Sequence, residues 1–265
     1  MSIFDKQTEP VFLKDDSSLE KDLAEFEALP TPTGVGGSAA KRQLWALRQG
    51  VNGERQVRFE LTHSHLPCCV LRDLRLVSHD LTAQIDVLVV TRKQTFVIEC
   101  KNLYGNITID ATGAFTRTVS YSSGRWKKEG IYSPVTQNQR HLDVLRQIRT
   151  ENKGRVMQYL TNHYFDSFYE SVVVLANEGT ILRADGAPPG IASQVVRADH
   201  LISHLRERIK ASSAPASPDK EMRQFAEGLL ALHHPVDTAV QSEPDSTDLS
   251  TLRCGHGGTY GEEGR

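Results

Sequence analysis

The sequence predicts an α/β layered fold, a central mixed sheet flanked by helices, and three stretches carry that expectation. Residues 85–91 and 95–100 are β-branched, apolar runs joined by the polar link Arg92-Lys93-Gln94, the pattern of a β-hairpin. Ser171-Val172-Val173-Val174-Leu175-Ala176 has almost no polar residue, as expected of a strand buried on both faces and paired in parallel. Between them Ser133-Pro134 opens a helical stretch, with Ser as cap and Pro at the first helical position. Strands that alternate with helices in this way stack into layers.

The remaining elements follow along the chain. Residues 1–37 form an N-terminal segment with one amphipathic helix, in which Leu19, Leu23, Phe26 and Leu29 share a stripe, and a Pro/Gly-rich linker after it. That stripe reads as a packing surface or a contact in a homo-oligomer. Residues 38–210 make the main domain. Its first helical pattern covers 39–49, pauses at Gly50-Val51-Asn52-Gly53, and restarts over 54–61 with Asn52 as N-cap. Glu54 then sits in a first turn, where the helix dipole favours an acid in any case.

A strand is expected from about Pro67 to Val77, and 105–110 and 113–119 alternate as two more. His63 and His65 have no further ligands clustered with them in sequence and read as a surface turn. Arg125-Trp126-Lys127-Lys128 is a basic run around one aromatic, suited to touching phosphates and stacking on a base. On the helix that follows, Gln137 and His141 share a face, and Arg140, Arg146 and Arg149 supply positive charge for a groove along a nucleic-acid backbone. A helix over 155–164, an edge strand at Val195-Val196 and a helix over 198–209 complete the domain. Residues 211–235 read as a linker and a short helix from 219 to 233, and 236–265 as a disordered tail.

Composition narrows the function classes. With 265 residues, a net charge of −2 and a pI near 6.6, the chain is no general nucleic-acid coat, although a local basic groove is compatible with that balance. No run approaches a membrane span and the start lacks the apolar core of a secretion signal, so the expected location is cytoplasmic, with no membrane partner. The Asn106-Ile107-Thr108 sequon is accordingly a chance match. The four cysteines, Cys68, Cys69, Cys100 and Cys254, outline no disulfide framework. No phosphate-binding Gly-x-x-x-x-Gly-Lys-Ser/Thr loop and no Gly-x-Ser-x-Gly elbow is present.

The hairpin holds the chemistry. In an extended strand Glu99 and Lys101 emerge on one face while Phe96, Ile98 and Cys100 fill the other, and Asp86 enters the partner strand near the same end. Two carboxylates and an ammonium at the end of an apolar hairpin are costly to bury unpaired. A cation shared by the acids would offset that cost; a plain Glu99–Lys101 salt bridge is the competing account.

Asp followed by Glu-x-Lys on the next strand resembles the PD-(D/E)xK nuclease core. Around it, Gly53-Glu54, the hairpin, Trp126 and Ser133-Pro134-Val135-Thr136-Gln137-Asn138 stand in an order similar to the nuclease-related domain (NERD) family, over residues 42–176. The resemblance implies a restriction-endonuclease-like core and metal-dependent hydrolysis of phosphodiesters, with DNA as the expected partner and RNA left open. It implies that Asp86, Glu99 and the Cys100 backbone carbonyl hold Mg²⁺ or Mn²⁺, with help from Glu54. Lys101 then orients or deprotonates the attacking water, and Gln137 holds Lys101 or a phosphate oxygen. Trp126, Lys127, Lys128, Arg140 and Arg146 are the expected nucleic-acid contacts. Some longer relatives end in a zinc ribbon, but Cys254 and His256 are too few for a tetrahedral site. A silent binding or scaffold module on the same fold is the alternative. A two-carboxylate glycosidase explains neither the lysine nor the basic helix.

Overall fold

In the computed structural model, which describes residues 6–29, 35–151 and 153–235, the chain opens with β1 (Val11–Lys14), α1 (Ser18–Ala28) and α2 (Val35–Thr62). The antiparallel strands β2 (Cys68–Ser78), β3 (Leu81–Thr91) and β4 (Thr95–Lys101) follow, then β5 (Asn106–Ile109), β6 (Phe115–Ser120) and β7 (Trp126–Ile131). Next come α3 (Pro134–Thr150), α4 (Arg155–Phe168), β8 (Tyr169–Leu175), β9 (Leu182–Arg183) and the short α5 (Pro189–Ala192). β10 (Val195–Arg197), α6 (Leu201–Ala211) and α7 (Asp219–Leu230) close the described part.

Six strands form the main sheet in the order β1-β2-β3-β4-β8-β10. β8 pairs in parallel with both β4 and β10, so the all-apolar strand is interior, as its composition predicts. Helices cover both faces. Leu142 and Leu145 of α3, Phe165 of α4, and Met222 and Leu229 of α7 pack with Leu71, Leu88 and Val97 on one side. Val57 and Leu61 of α2, and Leu201 and Leu205 of α6, pack with Val70, Val89, Phe96 and Val174 on the other. This is the mixed, helix-flanked α/β sheet of a restriction-endonuclease-like core.

The structure corrects several local expectations. α2 is one continuous helix of 28 residues, with no pause at Gly50–Gly53. Asn52 is therefore no N-cap, and Glu54 lies mid-helix, beyond the reach of the dipole's first turn. The glycines serve tertiary packing instead. A Cβ on Gly50 would lie 2.6 Å from Leu19 Cδ2 of α1, and one on Gly53 would lie 2.8 Å from Asn102 Cβ and 3.2 Å from Cys100 Sγ. Each costs about 1 kcal/mol of helix propensity against alanine, which close packing of α1 and of the end of β4 offsets.

The N-terminal segment is part of the sheet rather than an appendage: β1 lies parallel to β2, and α1 lies against α2 with Leu23 buried. Residues 35–37 are already helical, and 30–34, which carry most of the expected linker, lie outside the described residues, as does the expected tail 236–265. α7 packs on the sheet through Met222, Ala226 and Leu229, so the stretch 219–230 is core-forming.

The strands beyond the hairpin form a second sheet of their own, ordered β7-β6-β5-β9. Its inward face, with Ile107, Ile109 and Phe115, packs on Val173, Leu175 and Val195 of the main sheet. Val135 near the start of α3 joins the same cluster. His63 and His65 are exposed near the end of α2, and His65 Nδ1 meets Glu9 Oε1 at 2.8 Å, the surface turn expected.

Candidate active site

The pairing of β2 with β3 is interrupted at one position, where Asp73 stands opposite Asp86 between the ladder pairs Arg72–Val87 and Leu74–Ile85. Asp73 has φ +53°, a left-handed conformation that Asp tolerates better than most residues. Both strands change face here: Leu71 and Leu74 join one core, as do Ile85 and Leu88. The irregularity turns Asp86 toward the end of β4, where its Oδ2 accepts the Cys100 N–H at 2.7 Å. The β3–β4 ladder ends at Val87–Ile98, so this carboxylate replaces a backbone acceptor. Within a strand the N–H and C=O of one residue point the same way, and the Cys100 carbonyl therefore also faces the Asp86 side.

Glu99 is 2 % exposed, and Lys101, two residues on, shares its face. Lys101 Nζ lies 2.9 Å from Glu99 Oε1, the ion pair that the sequence offers as the bland account. Across the parallel ladder Glu99 sits beside Val173 and Lys101 beside Leu175, whose side chains pack under the second sheet. The pair thus stands where α3, β4 and the small sheet converge.

Glu54 approaches from the opposite layer. It follows Gly53, whose missing side chain lets α2 lie against the end of β4, and it shares a helix face with Val57 and Leu61. Glu54 Oε2 accepts from Ser17 Oγ at 2.7 Å and from Arg72 Nη2 at 3.3 Å. Arg72, 1 % exposed, is also held by the Asp15 carbonyl at 2.7 Å. Ser17, Asp15 and Arg72 are contributors that sequence reading misses, because nothing in their spacing announces partners that lie 18 to 57 residues away.

Burial and mutual repulsion raise the pKa values of the acids. Burial, then the Asp86 charge, pushes Glu54 up to about 7. Burial, then Glu99, holds the Asp86 carboxyl well above the usual carboxylate range, against the lowering effects of the Cys100 N–H and Lys101. The Cys100 thiol is likewise raised well above its usual range by burial, then by the Asp86 charge, so it stays protonated.

Gln137 and His141 descend from α3, one turn apart. Ser133 caps this helix, its Oγ accepting from the Thr136 N–H at 3.2 Å, with Pro134 in the first turn as predicted. The Gln137 side chain is half-buried and makes no hydrogen bond among the described residues. Asn138, fully buried, ties α3 to the sheet: its amide donates to the Val97 carbonyl at 2.8 Å and to Ser171 Oγ at 2.9 Å. His141 is the residue that sequence reading undervalues. Its Nδ1 lies 3.5 Å from Glu99 Oε2, and burial, then the Lys101 charge, pushes its pKa down to about 4. The imidazole is therefore neutral at pH 7, and its approach to Glu99 is not an ion pair. Its i+4 relation to Gln137 was the signal available.

The expected nucleic-acid contacts divide. Trp126 is 68 % exposed and Lys128 is exposed, both on the edge strand β7. Lys127 pairs with Glu129 at 2.6 Å. Arg140 lies over the Tyr132 ring at 5.3 Å with its side chain exposed. Arg146 pairs with Asp166 and lies 4.2 Å over Phe165, while Arg149 lies 5.1 Å over Phe225; both are tied to neighbouring helices rather than lining a groove.

Among the described residues no three His, Cys, Asp or Glu side chains stand close enough together to hold a metal by themselves, which rules out a preformed zinc-type cage there. The donor set still fits a hard divalent cation. Mg²⁺ is typically bound by one or two carboxylates and keeps several waters, and Asp86 and Glu99 are two carboxylates whose repulsion such a cation relieves. A cavity of about 340 Å³ beside the end of β8, lined by Gln56, Glu60, Asn177 and Arg197 among others, contains none of these residues.

Comparison with known proteins adds one match. The family model described as nuclease-related domain matches residues 49–176, a span that holds Glu54, Asp86, Glu99, Lys101, Gln137 and His141. No curated protein and no solved structure matches significantly.

Proposed function

Because residues 49–176 match the family model described as nuclease-related domain, we propose that this chain is a metal-dependent nuclease that hydrolyses phosphodiester bonds in DNA. The observation that supports this most is the convergence of Asp86, Glu99 and Lys101 at the end of one hairpin, with Asp86 kept protonation-prone by burial and then by the neighbouring Glu99 charge. Such crowding of acids around one lysine disfavours the fold unless positive charge is supplied.

Asp86, Glu99 and the Cys100 carbonyl would hold Mg²⁺ or Mn²⁺, with Glu54 nearby. The ion would supply stabilisation of the negative charge that builds on a phosphate. The protein's own groups do the rest. Lys101, 21 % exposed at its side chain, reaches solvent while Glu99 fixes its Nζ, so it can donate to a phosphate oxygen and orient an attacking water. Gln137 offers an uncommitted amide one helical turn from His141, suited to a second phosphate oxygen. His141, neutral at pH 7, can share a proton with Glu99 without adding charge. The described cysteines, Cys68, Cys69 and Cys100, are all free, which agrees with a reducing compartment such as the cytoplasm. No helix among the described residues is long and apolar enough to cross a membrane.

A second reading, a silent nucleic-acid-binding module, is favoured by one observation: the Glu99–Lys101 pair neutralises itself without any ion. Incubation with circular single-stranded and supercoiled DNA in Mg²⁺, Mn²⁺ or EDTA separates the two. Cleavage that needs the metal and disappears in folded Asp86→Ala and Lys101→Ala supports the nuclease. DNA binding without cleavage in any metal supports the module.

A further inference from the structure

The register of the small sheet sorts its side chains into two unlike faces. On β5, β6 and β7 the pairs Ile107–Arg117, Ile109–Phe115, Phe115–Ile131, Arg117–Glu129 and Val119–Lys127 point inward. There both cations are paired, since Glu129 meets Arg117 and Lys127. The pairs Asn106–Thr118, Thr108–Thr116, Thr116–Gly130, Thr118–Lys128 and Ser120–Trp126 point outward, and Arg183 of β9 joins them beside Thr108.

That outward face has an unusual composition. It presents hydroxyls from Thr108, Thr116, Thr118 and Ser120, the amide of Asn106, the cations Lys128 and Arg183, and the indole of Trp126. Among the described residues none of its strand positions carries a carboxylate, although the whole chain has more acids than bases. Lys128, Arg183 and Trp126 are exposed, and neither cation is in an ion pair among the described residues. With strands 4.7–4.9 Å apart, the two cations stand on the order of 14 Å apart across the sheet, and Trp126 follows Lys128 by one two-residue step of about 7 Å.

We propose that this face is a platform for single-stranded DNA, and it deepens the nuclease reading by assigning the form of the substrate. Hydroxyls, amides and cations without acids are the groups that contact phosphates, and an exposed tryptophan among them offers a stacking surface to an unpaired base, whose face a duplex hides. Charge complementarity picks a polyanion; the single flat aromatic picks an unpaired strand. The platform is also near the proposed site: β4 ends at Lys101 and β5 starts at Asn106, a link that spans at most about 18 Å.

The test is titration of the full chain with dT12 in EDTA, which prevents cleavage, followed by intrinsic fluorescence. The chain has two tryptophans, Trp45 and Trp126, so a Trp45→Phe background reports Trp126 alone. The expected result is quenching of Trp126 on binding, several-fold weaker affinity in Lys128→Ala and in Arg183→Ala, and a salt slope reduced by about 1 in each. Lys127→Ala, on the inward face, should bind like wild type.

Unchanged affinity in the Lys128→Ala/Arg183→Ala double variant, an equal loss in Lys127→Ala, or bound dT12 with unmoved Trp126 emission overturns the platform. Equal affinity for a blunt duplex of the same length, or tighter binding of rU12, overturns the assignment to single-stranded DNA. The two readings fail separately: a protein that binds dT12 through this face but cleaves nothing refutes the nuclease alone. Metal-dependent cleavage that the double variant retains at wild-type KM refutes the platform alone.

Discussion

His141 Nδ1 stands 3.5 Å from Glu99 Oε2 while Lys101 Nζ holds the other oxygen of the same carboxylate at 2.9 Å. A neutral imidazole and an ammonium thus share one buried anion, and each arrives from a different layer, α3 and the main sheet. Protonating the imidazole would place two cations side by side in a site from which water is largely excluded.

The pH dependence of His141 follows from its lowered pKa of about 4 against an ordinary 6.5. Between those values the unfolded chain binds the proton and the folded one does not, so stability falls as pH drops from about 6.5 to 4. His141→Gln, which cannot titrate, should lose less stability over that window, by about 2–3 kcal/mol at most. Urea unfolding at pH 7.5 and at pH 4.5 measures the difference, and parallel losses in both proteins would refute it.

Glu54 acts with the opposite sign. Its folded pKa of about 7 lies above the ordinary 4.5, so the fold binds this proton more tightly than the unfolded chain does. The wild type therefore loses stability as pH rises from about 4.5 to 7, and Glu54→Gln should be more stable than wild type at pH 8, by roughly 1–3 kcal/mol, with the gain gone near pH 4.5. The amide can still accept from Ser17, so the comparison isolates the charge.

Divalent metal should stabilise the wild type at pH 8 in the absence of any nucleic acid. At a hundred times Kd the gain is about 2.7 kcal/mol, readable as a rise in Tm with Mg²⁺ or Mn²⁺ that EDTA reverses. Asp86→Asn should remove the rise. A Tm that ignores both ions in the wild type would leave the acidic cluster without a metal role.

The two helical glycines should respond differently to one added methyl. In Gly53→Ala the new Cβ meets Asn102 Cβ at 2.8 Å, so α2 or the end of β4 must move, at a cost of about 1–3 kcal/mol. In Gly50→Ala the obstacle is the end of the Leu19 side chain, which can rotate, and the better helix propensity of alanine compensates. Thermal melts should place Gly50→Ala within about 1 kcal/mol of wild type.

Arg146→Ala should weaken the fold by about 1 kcal/mol and leave affinity for DNA unchanged, because its guanidinium is committed to Asp166 and to the Phe165 ring. Filter binding and urea unfolding on the same preparation check both halves.

Much of this architecture is legible in the sequence where the determinants are local. Ser133 and Pro134 state their helix start, the stretch 85–100 its hairpin, and Val172–Leu175 their burial on both faces, and each reading agrees with the structure, although the alternation of β3 breaks at Asp86. Reading failed where the cause was a distant partner. Gly50 and Gly53 look like a break until α1 and β4 are seen pressing on them. β1 is too short to stand out from its polar surroundings, and its pairing with β2 bridges more than fifty residues. For the site, the hairpin names Asp86, Glu99 and Lys101, but Arg72 and Ser17 beside Glu54, and the closeness of His141 to Glu99, are products of packing alone.

The main sheet is capped at both ends by strands that lie outside the stretch of chain matched as nuclease-related: β1 on one edge and β10 on the other. A protein trimmed to residues 49–176 would expose β2 and β8 as bare templates, each with a row of unanswered amides and carbonyls. It would recruit other chains to fill them. Insolubility of such a fragment would then say nothing against its chemistry; it would be the expected behaviour of a sheet cut from its frame.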